Sequence, residues 1–217
     1  MSSHFAPIER LFSANSQWAS DVERHEPGFF AQTVKGQSPK VLWIGCADSR
    51  VPETTLTGSR PGEIFVHRNI ANQFHSDDDS VLAVLTYAVD FVGVEHVVIV
   101  GHTQCGGAAA CFEASGSFVP GKPVTTVPTL PAEAPLNKWL EPLTTLAASL
   151  QLSSIPAAEA LLKLVEENVK VQVENLARSS VIVNAWKNEK RVWIHGWVYD
   201  LASGKLSDLG LTRGPQH

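Results

Sequence analysis

The run "HVVIVGH", residues 96–102, restricts the fold more than any other part of the chain. Four apolar residues follow one another without alternation, and a glycine stands behind them. Unbroken apolarity means burial on both faces, the mark of a strand inside a parallel sheet. "KVLWIG" (40–45) reads the same way, "EIFVHRNIAN" (63–72) opens with another such strand, and "RVWIHGWVYD" (191–200) is a fourth. The last is followed by a turn at "ASGK" and a short return "LSDLG", which predicts a hairpin with an antiparallel strand at the edge. Helical patterns fill the gaps. "DDSVLAVLTYAVDFVG" (78–93) begins with acids and ends at Gly93, and "AAEALLKLVEENVKVQVENLARSS" (157–180) is long and amphipathic. Strands separated by helices predict a single α/β domain around a mainly parallel four-stranded sheet, with the extra edge strand.

Two segments fall outside this rhythm. Residues 1–35 carry no apolar core of a signal peptide and are too acidic for a transit peptide, so they read as a helical arm preceding a domain over 36–217. Residues 115–135, rich in Pro, Gly and Thr, predict an ordered surface loop or flap with no chemistry of its own. No run reaches the length of a membrane span. With 17 basic and 22 acidic residues the net charge is −5, and no basic block points to nucleic acid or an anionic membrane. Three cysteines, an odd and low number, argue for reduced thiols and a cytoplasmic protein.

Chemistry gathers where the strands end. His102 and Cys105 follow the central run at spacing i, i+3, with Gly106 and Gly107 leading into a helix, and Cys46 ends the run "VLWIG". In an open parallel sheet, functional groups collect beyond the carboxyl ends of the strands. If the two strands are neighbours, two sulfurs and one imidazole converge, a set suited to zinc with a fourth position open. Two thiolates cancel the metal's double charge, so such a site acidifies water less than three neutral histidines would. Either fragment alone has an ordinary reading, since a cysteine ending a core strand is usually a small buried hydrophobe. Cys111 reads as such a packing residue. Asp48 and Arg50, at i and i+2, point the same way and can pair. The plain reading is a surface ion pair. The functional one is a carboxylate that either takes the open metal position or accepts a hydrogen bond from what sits there, with Arg50 deciding between the two.

"CADSRVPE", "PGEIFVHRNIAN", "GHTQCGG" and "HGWVYDLASGKL" together resemble the β-class carbonic anhydrases, in order, from roughly Gly36 to Leu206. The resemblance is to fungal or bacterial-type members. It implies zinc held by Cys46, His102 and Cys105, and reversible hydration of carbon dioxide to bicarbonate and a proton by a zinc-bound hydroxide. Asp48 and Arg50 would be the catalytic dyad, with Asp48 the fourth zinc ligand in a closed state. Gln37, Phe65, Ile70, Tyr87 and Gly106 would surround the substrate, Gln37 reaching across a subunit interface. It also implies a homodimer wrapped by N-terminal helices, commonly a dimer of dimers. Ala47 stands where Ser is commoner, and the 115–135 segment is longer than in bacterial relatives. In one subgroup a Trp, an Arg and a Tyr form a second pocket for bicarbonate, and Trp43, Gly45, Arg68 and Tyr87 are the residues expected to form it here.

Overall fold

A computed structural model describes residues 5–215. They divide into two units at Gln37/Ser38. The first unit holds helices Ala6–His25 (α1) and Phe29–Thr33 (α2). Trp18 meets Phe30 edge to face, with ring centroids 5.7 Å apart, where the two helices turn on each other. Ile8, Leu11 and Phe12 stand exposed on α1, an apolar stripe that a helix in water does not keep without use.

The second unit is built on five strands: Val41–Cys46 (β1), Ile64–Asn69 (β2), His96–His102 (β3), Trp193–Asp200 (β4) and Lys205–Arg213 (β5). Their order is β2-β1-β3-β4-β5, with β1, β2, β3 and β4 parallel and β5 antiparallel to β4. The sheet is thus the mainly parallel one that the unbroken apolar runs predict. Its two central strands, β1 and β3, are buried almost throughout. Short helix Glu53–Thr57 (α3) follows β1, and Asp79–Thr86 (α4) follows β2. Asp78 caps α4 by accepting from the Ser80 N–H. Beyond Thr86 the helix widens into a π-type turn over Tyr87–Val92 and stops at Gly93, whose φ of 79° suits glycine.

Helices Gly106–Ser115 (α5), Pro135–Ser149 (α6), Ala157–Ala177 (α7) and Ser180–Lys187 (α8) complete the unit. The sequence pattern runs α7 straight through to 180. The structure ends it at Ala177 and restarts with a new helix capped by Ser179, which accepts from the Ile182 N–H. The large core lies between α5, α7 and one sheet face, where Leu42, Ile44, Val97, Ile99 and Ile194 meet Leu164, Val169 and Val173. α7 sits close against β3 and β4 because Gly101 and Gly196 have no side chain. A Cβ at either would stand under 3.0 Å from Val169. The other face carries a smaller cluster of Trp43, Val98 and Val100, with Leu56, Trp197 and Tyr199 beside it.

The 115–135 segment is an ordered loop. Buried Asn137 holds it from α6: its amide oxygen accepts from the Val127 N–H, and its NH2 donates to the Val127, Leu130 and Pro131 carbonyls. A second pinned segment runs from Asn69 to Phe74. Ala71 and Asn72 adopt positive φ there, 62° and 47°. That strain is held by α7, from which Asn168 donates to the Ala71 carbonyl and Gln172 accepts from the Phe74 N–H.

Candidate metal centre

β1 and β3 are neighbours, so the two strand ends meet, and Cys46 and His102 leave the sheet side by side. Past His102 the chain turns at Gln104, whose φ is 55°, and Cys105 becomes the N-cap of α5. Gly107 belongs in the first turn of that helix, because a Cβ there would press within 3.2 Å of both Ile70 and Ala71. The result is a buried trio. Cys46 Sγ and Cys105 Sγ are 4.0 Å apart, and both sulfurs and a ring nitrogen of His102 lie within 4.8 Å of one another.

His102 Nδ1 donates to the Thr103 carbonyl at 2.9 Å, which leaves the lone pair on Nε2. Nε2 is buried and has no hydrogen-bond partner. An imidazole lone pair buried without a partner is costly in a closed interior. Beside two thiols it is what a metal ligand looks like before the metal is counted, so the donor set fits zinc. The thiols agree. The Cys46 sulfur is pushed down to about 4, chiefly because the Cys105 thiol hydrogen-bonds to it, helped by His102 and by the backbone N–H groups of Asp48 and Ala71. The same bond, with burial, pushes Cys105 up. Of the two thiols, Cys46 is thus the one that favours the thiolate. The N–H groups of Gly107 and Ala108, at the start of α5, face the Cys105 sulfur and favour its thiolate.

Asp48 and Arg50 stand at the rim. Arg50 grips both carboxylate oxygens of Asp48, from Nε at 3.0 and 3.3 Å and from Nη2 at 2.7 Å, and its backbone N–H adds a bond of 2.9 Å. The same Nη2 donates to the Gln104 carbonyl, which ties the loop after β1 to the loop after β3. The guanidinium holds the Asp48 carboxyl well below the usual carboxylate range. Its Oδ2 lies 3.9 Å from His102 Nε2, near the trio but turned toward Arg50.

A match to the carbonic anhydrase family model covers residues 41–206, which contain every one of these groups. The chain belongs to the carbonic anhydrase family. It is similar to a carbonic anhydrase of Emericella nidulans, 32% identical over 94% of this chain and 83% of that one. Among solved structures it is similar to the tetrameric β-carbonic anhydrases of the filamentous ascomycete Sordaria macrospora. There the identity is 34% and the TM-score 0.82, over 96% of this chain and 99% of that one. A β-carbonic anhydrase of Aspergillus fumigatus gives 37% identity and a TM-score of 0.80, over 94% and 91%. The protein is thus a β-class carbonic anhydrase, an enzyme that interconverts carbon dioxide and bicarbonate.

The remaining expected site residues of this carbonic anhydrase are placed less uniformly. Ile70 lines a cleft of about 550 Å³ together with Ala47, His67, Leu136 and Trp139. Phe65 and Tyr87 stack at 5.9 Å, and Tyr87 stacks on Phe91 at 5.6 Å, so they form an aromatic ladder open to the outside. Gly106 opens α5 next to Cys105. Gln37 closes the first unit.

The residues expected at the second pocket divide between the two faces of the sheet. Phe65 is paired with Leu42, and paired residues on neighbouring strands share a face, so the Tyr87 ladder belongs to the Leu42 face of the sheet. Trp43 is one residue along β1 and points to the other face. Tyr87 therefore does not join Trp43. Tyr199 does, lining with Trp43, Val100 and His102 a cavity of only about 10 Å³. Gly45 leaves the indole of Trp43 room to lie over it, since a Cβ there would meet Nε1 at 2.3 Å. Arg68 is occupied as found. Its Nε donates to the Cys46 carbonyl at 2.8 Å, its Nη2 donates to the Asp48 carbonyl, and Glu53 lies 3.9 Å away. The signal that picks out Tyr199 was present in the sequence, as the spacing of Trp197 and Tyr199, two apart on one face of β4.

Proposed function

We propose that Cys46, His102 and Cys105 hold one zinc ion and that this centre performs the reversible hydration of carbon dioxide to bicarbonate and a proton. The observation that carries the reading is the buried, partnerless Nε2 of His102 beside the sulfurs of Cys46 and Cys105. Zinc bound there supplies a Lewis acid that lowers the pKa of a water and leaves a fourth position open. Asp48, kept ionised by Arg50, presents Oδ2 as an acceptor at the edge of the trio. With zinc held by Cys46, His102 and Cys105, that oxygen would accept a hydrogen bond from a hydroxyl group at the site and so orient it. Arg50 also keeps the carboxylate from swinging inward as a fourth ligand, which would close the site. Ile70, with Phe65 and Tyr87, offers the apolar surface that a small nonpolar substrate needs. Gln37 supplies an amide donor for the oxygen of bicarbonate, reaching in from a second copy of the chain.

The exposed stripe on α1 and the tetrameric relatives support assembly as a homodimer or a dimer of dimers. The three free, buried cysteines suit a reducing cytoplasm. Trp43, Gly45, Arg68 and Tyr199, rather than Tyr87, are the residues to bind bicarbonate at a second, inhibitory pocket. Among the described residues no helix is long and apolar enough to cross a membrane.

The test measures zinc content and hydration rate together across pH. One zinc per chain is expected in the parent, and Cys105→Ser should lose metal and activity in step. Full hydration activity in metal-free protein would overturn the proposal.

A further inference from the structure

The turn after β3 is tied to the end of the neighbouring strand β4 by bonds that neither the dyad nor the metal trio accounts for. Thr103 is their hub. Its N–H donates to the Tyr199 carbonyl at 2.9 Å and so carries the β3–β4 ladder one step past His102. Its Oγ1 donates to Asp200 Oδ1 at 3.0 Å and accepts from the Leu201 N–H at 2.9 Å. A threonine hydroxyl has one proton to give, so the donor side is fully used and the side chain has one allowed setting. The carbonyl of the same residue accepts the Nδ1–H of His102.

We propose that Asp200 is a positioning residue for the metal ligand His102, acting through Thr103. The proposal rests on the reading that Cys46, His102 and Cys105 hold zinc. The carboxylate of Asp200 fixes the hydroxyl of Thr103, and the hydroxyl fixes the residue whose carbonyl holds the imidazole. That carbonyl settles the tautomer and the plane of the ring, hence where Nε2 aims. Outer partners of this kind set ligand geometry as much as the ligands do.

A simpler role for Asp200 exists and is distinguishable. It accepts from the Ala202 N–H, the Ser203 N–H and the Ser203 hydroxyl, and its own carbonyl accepts from the Gly204 N–H. Those bonds build the β4–β5 hairpin and need nothing from β3. The Thr103 bond is different in kind, since it joins residues 97 apart in the chain. The Ser203 hydroxyl, the Ala202 N–H and Thr103 hold the Asp200 carboxyl below its ordinary range, so it remains an ionised acceptor throughout the neutral region.

The experiment titrates the zinc-loaded protein with a chromogenic chelator and records the visible spectrum after replacing zinc with cobalt. Thr103→Val removes the hydroxyl at nearly constant volume. It should lower zinc affinity by about tenfold or more, the range for an outer-shell partner, and should alter the cobalt bands. Thr103→Ser, which keeps the hydroxyl, should restore most of the affinity. Asp200→Asn should lower affinity in the same direction, because in either setting its amide nitrogen faces donors. A purely hairpin role predicts lower melting temperatures with zinc affinity and cobalt bands unchanged, and that result overturns the proposal. Should Thr103→Val fail to fold, parent affinity in Asp200→Asn overturns it equally. A parent protein that takes up no zinc removes the reading of the trio, and this inference falls with it.

Discussion

Gly101 stands directly before His102, and the space it leaves is used. Its φ is not positive, so glycine is there for room rather than for backbone freedom. A Cβ would lie 2.8 Å from Val169 Cγ2 and 3.1 Å from Val165 Cγ1, and both valines are buried on α7. Gly101→Ala must push α7 and β3 apart. Overpacking of this size costs about 1–3 kcal/mol, and the stiffer unfolded chain returns about 0.4–1 kcal/mol. The net cost is about 0–2.6 kcal/mol, and at roughly 2–4 °C per kcal/mol for a chain of this length the melting temperature should fall by up to about 10 °C. Val169→Ala deletes two methyl groups, a transfer loss of about 1.6 kcal/mol before any cavity is counted. The double variant decides the cause, because Val169→Ala vacates the place that the new methyl needs. Its destabilisation should be less than the sum of the two singles by about 1 kcal/mol or more. Calorimetry on the zinc-loaded protein at fixed concentration reads all four proteins. Strict additivity in the double variant would show that Val169 does not set the spacing of α7 on β3.

Arg50→Ala should lower the hydration rate while zinc content stays at the parent level, because the freed Asp48 carboxylate turns onto the metal. Parent-like rates at every pH would reduce the pair to a surface contact. Acidification should destabilise the fold from near neutrality downward. Burial lowers the pKa of His67, His75 and His195, against partial opposition from Asp78, from Asp77 and Asp78, and from Asp208, while His96 adds to the lowering of His195. The unfolded chain therefore binds protons first, so this stability is complete above the unfolded pKa of about 6.5 and is lost as pH falls from there through the lowered folded values. Thermal melts from pH 7.5 to 5.5 should show the fall, and His67→Gln should flatten it; a melting temperature that rises on acidification contradicts the assignment. Added bicarbonate near neutral pH should inhibit the parent more than Trp43→Phe, and equal inhibition of both would remove the second pocket.

The sheet was legible because burial on both faces leaves a mark that cannot be mistaken for alternation. The strand-end chemistry was legible for a related reason, since parallel strands deliver their last residues to one crevice. Cys46, His102 and Cys105 could therefore be brought together with no knowledge of distance. Helix α6 was less visible. It starts at Pro135, where the Pro-rich segment ends, and carries a second proline at Pro142 inside it, so local composition reads as loop. Its hold on that loop through Asn137 depends on one buried amide, which no periodicity reports. The π-type turn at Tyr87–Val92 was hidden as well, because one wide turn shifts the face of Tyr87 and Phe91 without changing the run of apolar residues.

Tyr87 and Tyr199, the two tyrosines of the chain, show where a linear motif stops carrying information. Both lie close in sequence to residues with strong roles, and either could supply a hydroxyl to an anion beside Arg68. What separates them is parity. Along β1, Leu42, Ile44 and Cys46 face the helices, while Trp43 faces away. The parallel register passes that parity from strand to strand: Phe65 opposite Leu42 takes Tyr87 to the helix side, and Tyr199 opposite His102 stands with Trp43 and Val100. A slip of one residue would reverse both assignments. The division of labour follows from it. The helix-side tyrosine stacks in an open apolar ladder suited to a neutral gas. The other lies against a closed cavity whose walls include His102 and Cys46, so an anion that opened that cavity would press on those two side chains from behind.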